Sequence, residues 1–130
     1  MKDQIYESIK KIVTLYDIWG SIYFDQWTER PNLQNKKARG VYVIYDNTNV
    51  YYVGKGFIRD RQKMHKEKFL GEFRAARDTR GFANFRTTHG IVDLTKLEFC
   101  YIILDSETAI GAVETGLIHL LQPLANDETQ

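Results

Sequence analysis

Residues 40–55 read GVYVIYDNTNVYYVGK, and the fold turns on how this stretch pairs with itself. GVYVIYD and VYYVGK are rich in the β-branched and aromatic side chains that suit a pleated, half-buried surface, and Asn47 and Thr48 lie in the polar run between them. The pattern predicts a β-hairpin. Side chains along a strand alternate between faces, so Tyr42 and Tyr52 share a face only if the cross-strand register is even. That favours pairing Tyr45 with Asn49 around a three-residue loop, Asp46 to Thr48. The same alternation turns Tyr51 away from Tyr52, as a structural residue.

Toward the C-terminus, LEFCYIIL at 97–104 predicts a third strand, with Cys100 inside it as a buried small hydrophobe. Asp105 or Ser106 can cap a following helix, whose stripe is Ile110, Val113, Leu117, Leu120 and Leu121, and Pro123 closes it. Between hairpin and third strand, the region from Arg59 to Asp78 lacks Pro and is rich in Lys, Glu, Arg and Ala. One or two helices are expected there, with Gly71 as an interruption. Toward the N-terminus, Ile5, Ile9, Ile12, Val13, Tyr16 and Trp19 recur at helical spacing from Asp3 to Trp19. GSIYFDQWTERPNLQNKKARG then reads as a short apolar element and a surface loop. The expected class is α+β: a three-stranded antiparallel sheet packed with helices. Residues 1–39 form an N-terminal helix and loop extension, and 40–130 the core of a single compact domain.

The 130 residues suffice for one domain with its own core. Hydrophobic residues at 43% and charged residues at 27% match ordinary globular usage, which argues against a disordered or membrane class. No run approaches the roughly 20 apolar residues of a membrane span. The opening MKDQIYESIKKIV lacks a signal pattern, so a cytoplasmic location is expected. One cysteine excludes an internal disulfide, and with His89 and His119 isolated there is no zinc constellation. The net charge of +1 hides an uneven division. Residues 40–90 hold ten Lys and Arg against five acids, net +5, whereas 91–130 hold Lys96 against seven acids, net −6. A basic middle suits a phosphate backbone, although a solvated helix face gives the same count.

Gly40-Val41-Tyr42 and Tyr52-Val53-Gly54 are followed by Lys55-Gly56, by Arg61 and His65 four residues apart, by Glu114 on a helix, and by Pro123-Leu124-Ala125-Asn126. This ordered set, spanning residues 40 to 126, resembles the GIY-YIG nuclease family, with Val for Ile in both triplets. Either triplet alone recurs by chance in strands; the signal lies in the joint order. The resemblance implies magnesium-dependent hydrolysis of DNA phosphodiester bonds, with manganese able to substitute and RNA an open alternative substrate. It implies Tyr42 as general base or water-orienting group, tuned downward from a phenol's usual pKa of roughly 10 by Lys55 and His65. Tyr52 would bond the phosphate or Tyr42, and Asn126 would prop the phosphate or the helix terminus. Arg61 would clamp the non-bridging oxygens with its guanidinium fork, and Arg59 is a rival for that role.

Glu114 lies four residues after Ile110 and three before Leu117, at the edge of the apolar stripe, where a carboxylate needs a partner. An arginine is one such partner; a magnesium ion, which keeps much of its hydration, is another. Arg74, Arg77, Arg80 and Arg86, interleaved with Phe73, Phe82 and Phe85, can grip phosphates and stack bases, or present an exposed face over a packed aromatic set. The competing reading is a non-catalytic nucleic-acid-binding or interaction module on the same scaffold. The completeness of the set favours the enzyme, which would act as a homodimer if both strands are cut.

Overall fold

The computed structural model describes residues 1–26, 38–58 and 96–126. They form α1 (Lys2–Leu15), β1 (Ser21–Gln26), β2 (Arg39–Tyr45), β3 (Val50–Phe57), β4 (Glu98–Ile103) and α2 (Glu107–Leu121). The architecture is α+β. A four-stranded antiparallel sheet, in the order β1-β4-β2-β3, packs against the two helices. The expected third strand is therefore joined by a fourth. SIYFDQ, read as a short apolar element, pairs along its whole length with β4, from Ser21 opposite Ile103 to Gln26 opposite Glu98. Residues 1–26 thus supply the fourth strand and one of the two helices packed on the sheet. No helix among the described residues is long and apolar enough to cross a membrane. The helices expected between Arg59 and Asp78 lie outside the described residues.

Ile5, Ile9 and Ile12 of α1 and Ile110, Val113 and Leu117 of α2 are buried on the sheet face that carries Val41, Val43, Tyr45, Val53, Cys100 and Ile102. The stripes of both helices shorten at their C-terminal ends relative to expectation. α1 stops at Leu15 because Asp17 adopts a left-handed backbone (φ 52°), leaving Tyr16 and Trp19 exposed instead of on the stripe. Leu120 is likewise exposed. Ser106 caps α2 by accepting a hydrogen bond from the Ala109 N–H at 3.2 Å.

The second face of the sheet is buried as well. Tyr42, Ile44, Phe99 and Tyr101 form its core with Leu97, Ile58, Tyr51 and Ala125. Burial of both faces explains why β2 reads as a continuous apolar run rather than an alternating one. Gly40 is the exception in that run, and β4 dictates it: a Cβ there would strike the backbone carbonyl of Ile102. Gly40→Ala is expected to cost about 3 kcal/mol by prising β2 from β4. Thermal melts would then show a midpoint lower by on the order of 10 °C, and an unchanged midpoint would contradict the close approach.

The hairpin differs from expectation by a bulge. Tyr45 pairs with Val50, Ile44 with Tyr52 and Tyr42 with Gly54, so Tyr51 is the extra residue and the loop runs from Asp46 to Asn49. The even register survives, and Tyr42 and Tyr52 share a face. Tyr51 does not turn to the opposite one: at the bulge strict alternation lapses, and its ring joins the cluster around Tyr42 and Phe99.

Its hydroxyl donates to Asp46 Oδ2, while Asp46 Oδ1 accepts the N–H groups of Thr48 and Asn49, each at 2.8 Å. Burial raises the Asp46 pKa, but the bonds from Tyr51, Asn49 and Thr48 outweigh it, and the carboxyl ends below its ordinary value of 3.8. A folded pKa below the unfolded one gives stability that is present above that ordinary value and lost as pH falls through the folded pKa. Asp46→Asn should therefore lower the melting midpoint at neutral pH and flatten the acid limb of a melt series. An acid limb identical to the parent's would remove Asp46 from that role.

Candidate functional site

Five of the residues singled out in the sequence lie within the described structure: Tyr42, Tyr52, Lys55, Glu114 and Asn126. All five sit on β3 or against it. Tyr42 reaches from β2 across Gly54, where a Cβ would collide with the Tyr42 hydroxyl and meet Tyr52 Cε1 at 2.6 Å. The glycine that ends the second triplet is thus required by the tyrosine that ends the first. The two phenol rings stack at 6.2 Å with an interplanar angle of 28°.

This pair belongs to a longer aromatic row. Tyr42 stacks on Phe99 at 5.5 Å, Phe99 lies 5.8 Å from Tyr101, and Tyr101 stacks on Tyr23 at 5.1 Å. The row crosses all four strands on the face away from the helices. Tyr52 and Tyr23 at its ends are partly open to solvent, whereas Tyr42 is only 1% exposed. Phe99, Tyr101 and Tyr23 were not singled out in the sequence. The usable signal was the i, i+2 spacing of Phe99 and Tyr101 in FCY, which sets both rings on one face, with Tyr23 directly opposite Tyr101 once the strands are side by side.

Lys55 stands directly opposite Val41, on the helix face of the sheet. It therefore does not flank Tyr42, and its expected part in tuning that phenol is corrected by the pleat. Its ammonium instead turns to Glu114 on α2, at 3.8 Å. The Glu114 side chain is 20% exposed and that of Lys55 53%, so the carboxylate is the sheltered partner. Glu114 holds the boundary position foreseen for it, at the rim where α2 passes the outer strand.

Asn126 takes a place different from the expected prop for a phosphate or a helix end. Its amide oxygen accepts the Val53 N–H at 2.9 Å, and its amide nitrogen donates to the Val53 carbonyl at 2.8 Å. Val53 pairs with Val43, and its own N–H and C=O reach the Asn126 amide beyond β3. Just before it, Leu124 N–H donates to Val50 O and Ala125 N–H to Tyr51 O. Residues 124–126 thus run along the outer edge of the hairpin and supply the partners an added strand would give.

Two further groups are excluded as participants by their surroundings. The Tyr45 hydroxyl is buried, with the Glu98 carboxylate close by. Burial, and then the neighbouring Glu98 carboxylate, push its ionisation up beyond use as a base. Cys100 is fully buried, and burial raises its thiol pKa too far for a nucleophile. Arg59, Arg61, His65, Arg74, Arg77, Arg80 and Arg86 lie outside the described residues. Compared with protein-family models, with curated proteins and with solved structures, the chain matches none of them.

Proposed function

We propose that this chain is a magnesium-dependent endonuclease of the GIY-YIG type that hydrolyses DNA phosphodiester bonds. The observation that carries the reading is that motif residues far apart in the sequence gather along β3, with Tyr42 and Tyr52 on one face of the sheet and Lys55 with Glu114 at its rim on the other. Tyr42 stacks on Tyr52 over Gly54, Glu114 pairs with Lys55, and Asn126 binds Val53. Residues separated by up to 84 positions in the chain, from Tyr42 to Asn126, are brought to the same short hairpin.

In the reaction a water oxygen attacks phosphorus while its proton passes to Tyr42, acting as general base. The bond from phosphorus to the departing sugar oxygen breaks, and that oxygen takes a proton from solvent. Arg61 and His65 would neutralise the phosphoryl oxygens, with Arg59, Arg74, Arg77, Arg80 and Arg86 holding flanking phosphates. Among the described residues no group of three His, Cys, Asp or Glu could hold a metal ion. The sheltered Glu114 carboxylate suits a hard cation that keeps most of its water, magnesium or in its place manganese. Glu114 would hold it, and when bound the ion supplies Lewis-acid stabilisation of the leaving oxygen.

One observation favours a second reading, a binding module without chemistry: Tyr42 is almost wholly enclosed, and the Asn126 amide is committed to Val53. Incubation of the pure protein with supercoiled plasmid, single-stranded DNA and RNA, with and without magnesium, separates the two. Nicked or linear DNA only in the presence of the metal supports the nuclease. A mobility shift without strand scission supports the module, and neither result overturns both.

A further inference from the structure

At the opposite end of the helix pair from the hairpin loop, the end of α1 and the start of α2 enclose a cleft of about 440 Å³. Its lining includes the aromatic side chains of Tyr16 and Trp19, the small ones of Ala109 and Ala112, and the carboxylates of Asp17 and Asp105. We propose that this cleft binds the guanidinium of an arginine presented by a basic peptide segment of a partner protein.

The aromatic lining is the first reason. Trp19 is 87% and Tyr16 59% exposed, a large apolar surface left to water beside a concavity. The backbone holds it there: Asp17 is left-handed, and the Ile18 N–H closes the helix on the Val13 carbonyl at 2.8 Å. Neither ring is placed there by the needs of the core.

Charge complementarity is the second. Asp17 and Asp105 are exposed, and among the described residues neither has an ion-pair partner. Arg39 is already paired with Glu107 at the start of α2 and lies over the Phe57 ring. The last turn of α1 carries no basic residue, so the negative end of its dipole is uncompensated. The start of α2 would favour an anion, but Ser106 already takes its Ala109 N–H, and Asp105 and Glu107 stand beside it. The cleft therefore selects a cation.

Arginine fits this combination better than lysine. A planar guanidinium stacks on an indole face while its edge forks onto a carboxylate, and it sheds water more readily than an ammonium. The small side chains of Ala109 and Ala112 in the lining leave room for the methylene stem. The cleft does not involve the tyrosines of the hairpin, and the proposal stands independently of nuclease activity.

Trp19 itself reports the binding. The chain has two tryptophans, so Trp27→Phe leaves Trp19 as the only indole emitter. The probe is the acetylated, amidated pentapeptide Gly-Arg-Gly-Arg-Gly, with a second version carrying citrulline for arginine, which keeps shape and removes charge. Saturable change in Trp19 emission is expected with the arginine peptide and at least tenfold weaker binding with citrulline. Asp17→Asn combined with Asp105→Asn should weaken the arginine peptide by about tenfold, the sum of two partly screened charge contacts. Asn tolerates the left-handed backbone at position 17 as Asp does. Asp105→Asn alone, at an exposed position outside the helix, provides a variant whose fold is secure and should weaken binding by roughly threefold. Equal binding of the citrulline peptide, undiminished binding by the aspartate variants, or no saturation at millimolar peptide would overturn the proposal.

Discussion

Glu114→Ala is expected to abolish DNA cleavage in magnesium while leaving the melting midpoint within a few degrees of the parent. The asymmetry follows from where the carboxylate sits. It lies on α2 between the buried positions Ile110 and Leu117, sheltered enough to be specific but not enclosed in the core. Its contact with the half-exposed Lys55 is a screened pair, worth about 0–1 kcal/mol of stability. Alanine also carries a better helix propensity, which offsets part of that loss. Removing a Lewis acid, by contrast, forfeits several kcal/mol of transition-state stabilisation. A loss of that size slows the reaction by roughly a thousandfold or more. Single-turnover cleavage at saturating magnesium, with melts run beside it, distinguishes a lost metal from a lost fold. Cutting by the variant near the parent rate would sink the metal assignment whatever the melts show.

Tyr42→Phe should cost cleavage a factor of roughly 100 to 10,000, the usual worth of a general base, whereas Tyr51→Phe should cost little rate. Both phenols belong to the same buried cluster, so position on one face or the other cannot distinguish them. Their hydroxyls can. That of Tyr51 is bound to Asp46 at the hairpin loop, and burial, aided by that bond, pushes its pKa up to about 12. It is a structural donor, and its removal should cost about 1 kcal/mol of stability. That of Tyr42 crosses to Gly54 beside Tyr52, at the strand where the other motif residues gather. Cleavage measured across pH for both variants tests this directly. Retention of the rate in Tyr42→Phe would pass the role to Tyr52, the more open hydroxyl of the stacked pair.

The sequence made the hairpin, the third strand and both terminal helices legible because each is local. The unbroken β-branched and aromatic run of GVYVIY and the period of 3.6 in the two apolar stripes are written in neighbouring residues. β1 was harder to recognise. SIYFDQ is no longer than the mean strand and becomes one only when β4, some 75 residues away, supplies its partner. The register of the hairpin was legible in parity but not in detail. Both a three-residue loop and a four-residue loop with a bulge satisfy an even offset, and the choice falls to Asp46, which can gather Thr48, Asn49 and Tyr51 only in the longer form. Tyr51 shows the cost of assuming uninterrupted alternation.

In the site, the residue types were legible and their surroundings were not. Lys55 follows the second triplet directly, yet the pleat carries it to the helix face and to Glu114. Asn126 was visible as a polar residue beyond a helix. That its amide would meet both backbone groups of one valine depends on α2 ending at Leu121 and Gln122 turning through a left-handed conformation (φ 48°). No pattern within the chain's own vicinity encodes that meeting.

The strip of chain from Leu124 to Asn126 also bears on how these molecules behave when crowded. A sheet presents its unpaired outer strand to any other chain that can complete it, and ordered aggregation begins there. Along the first half of β3 that opportunity is closed: Val50 and Tyr51 already receive backbone donors, and the Asn126 amide imitates a complete peptide unit opposite Val53. The imitation is a side chain rather than a strand, so it ends after a single residue and offers no fresh edge beyond itself. Propagation through that half of β3 therefore requires this short strip to peel away first, and local opening there, rather than collision frequency, would set its pace.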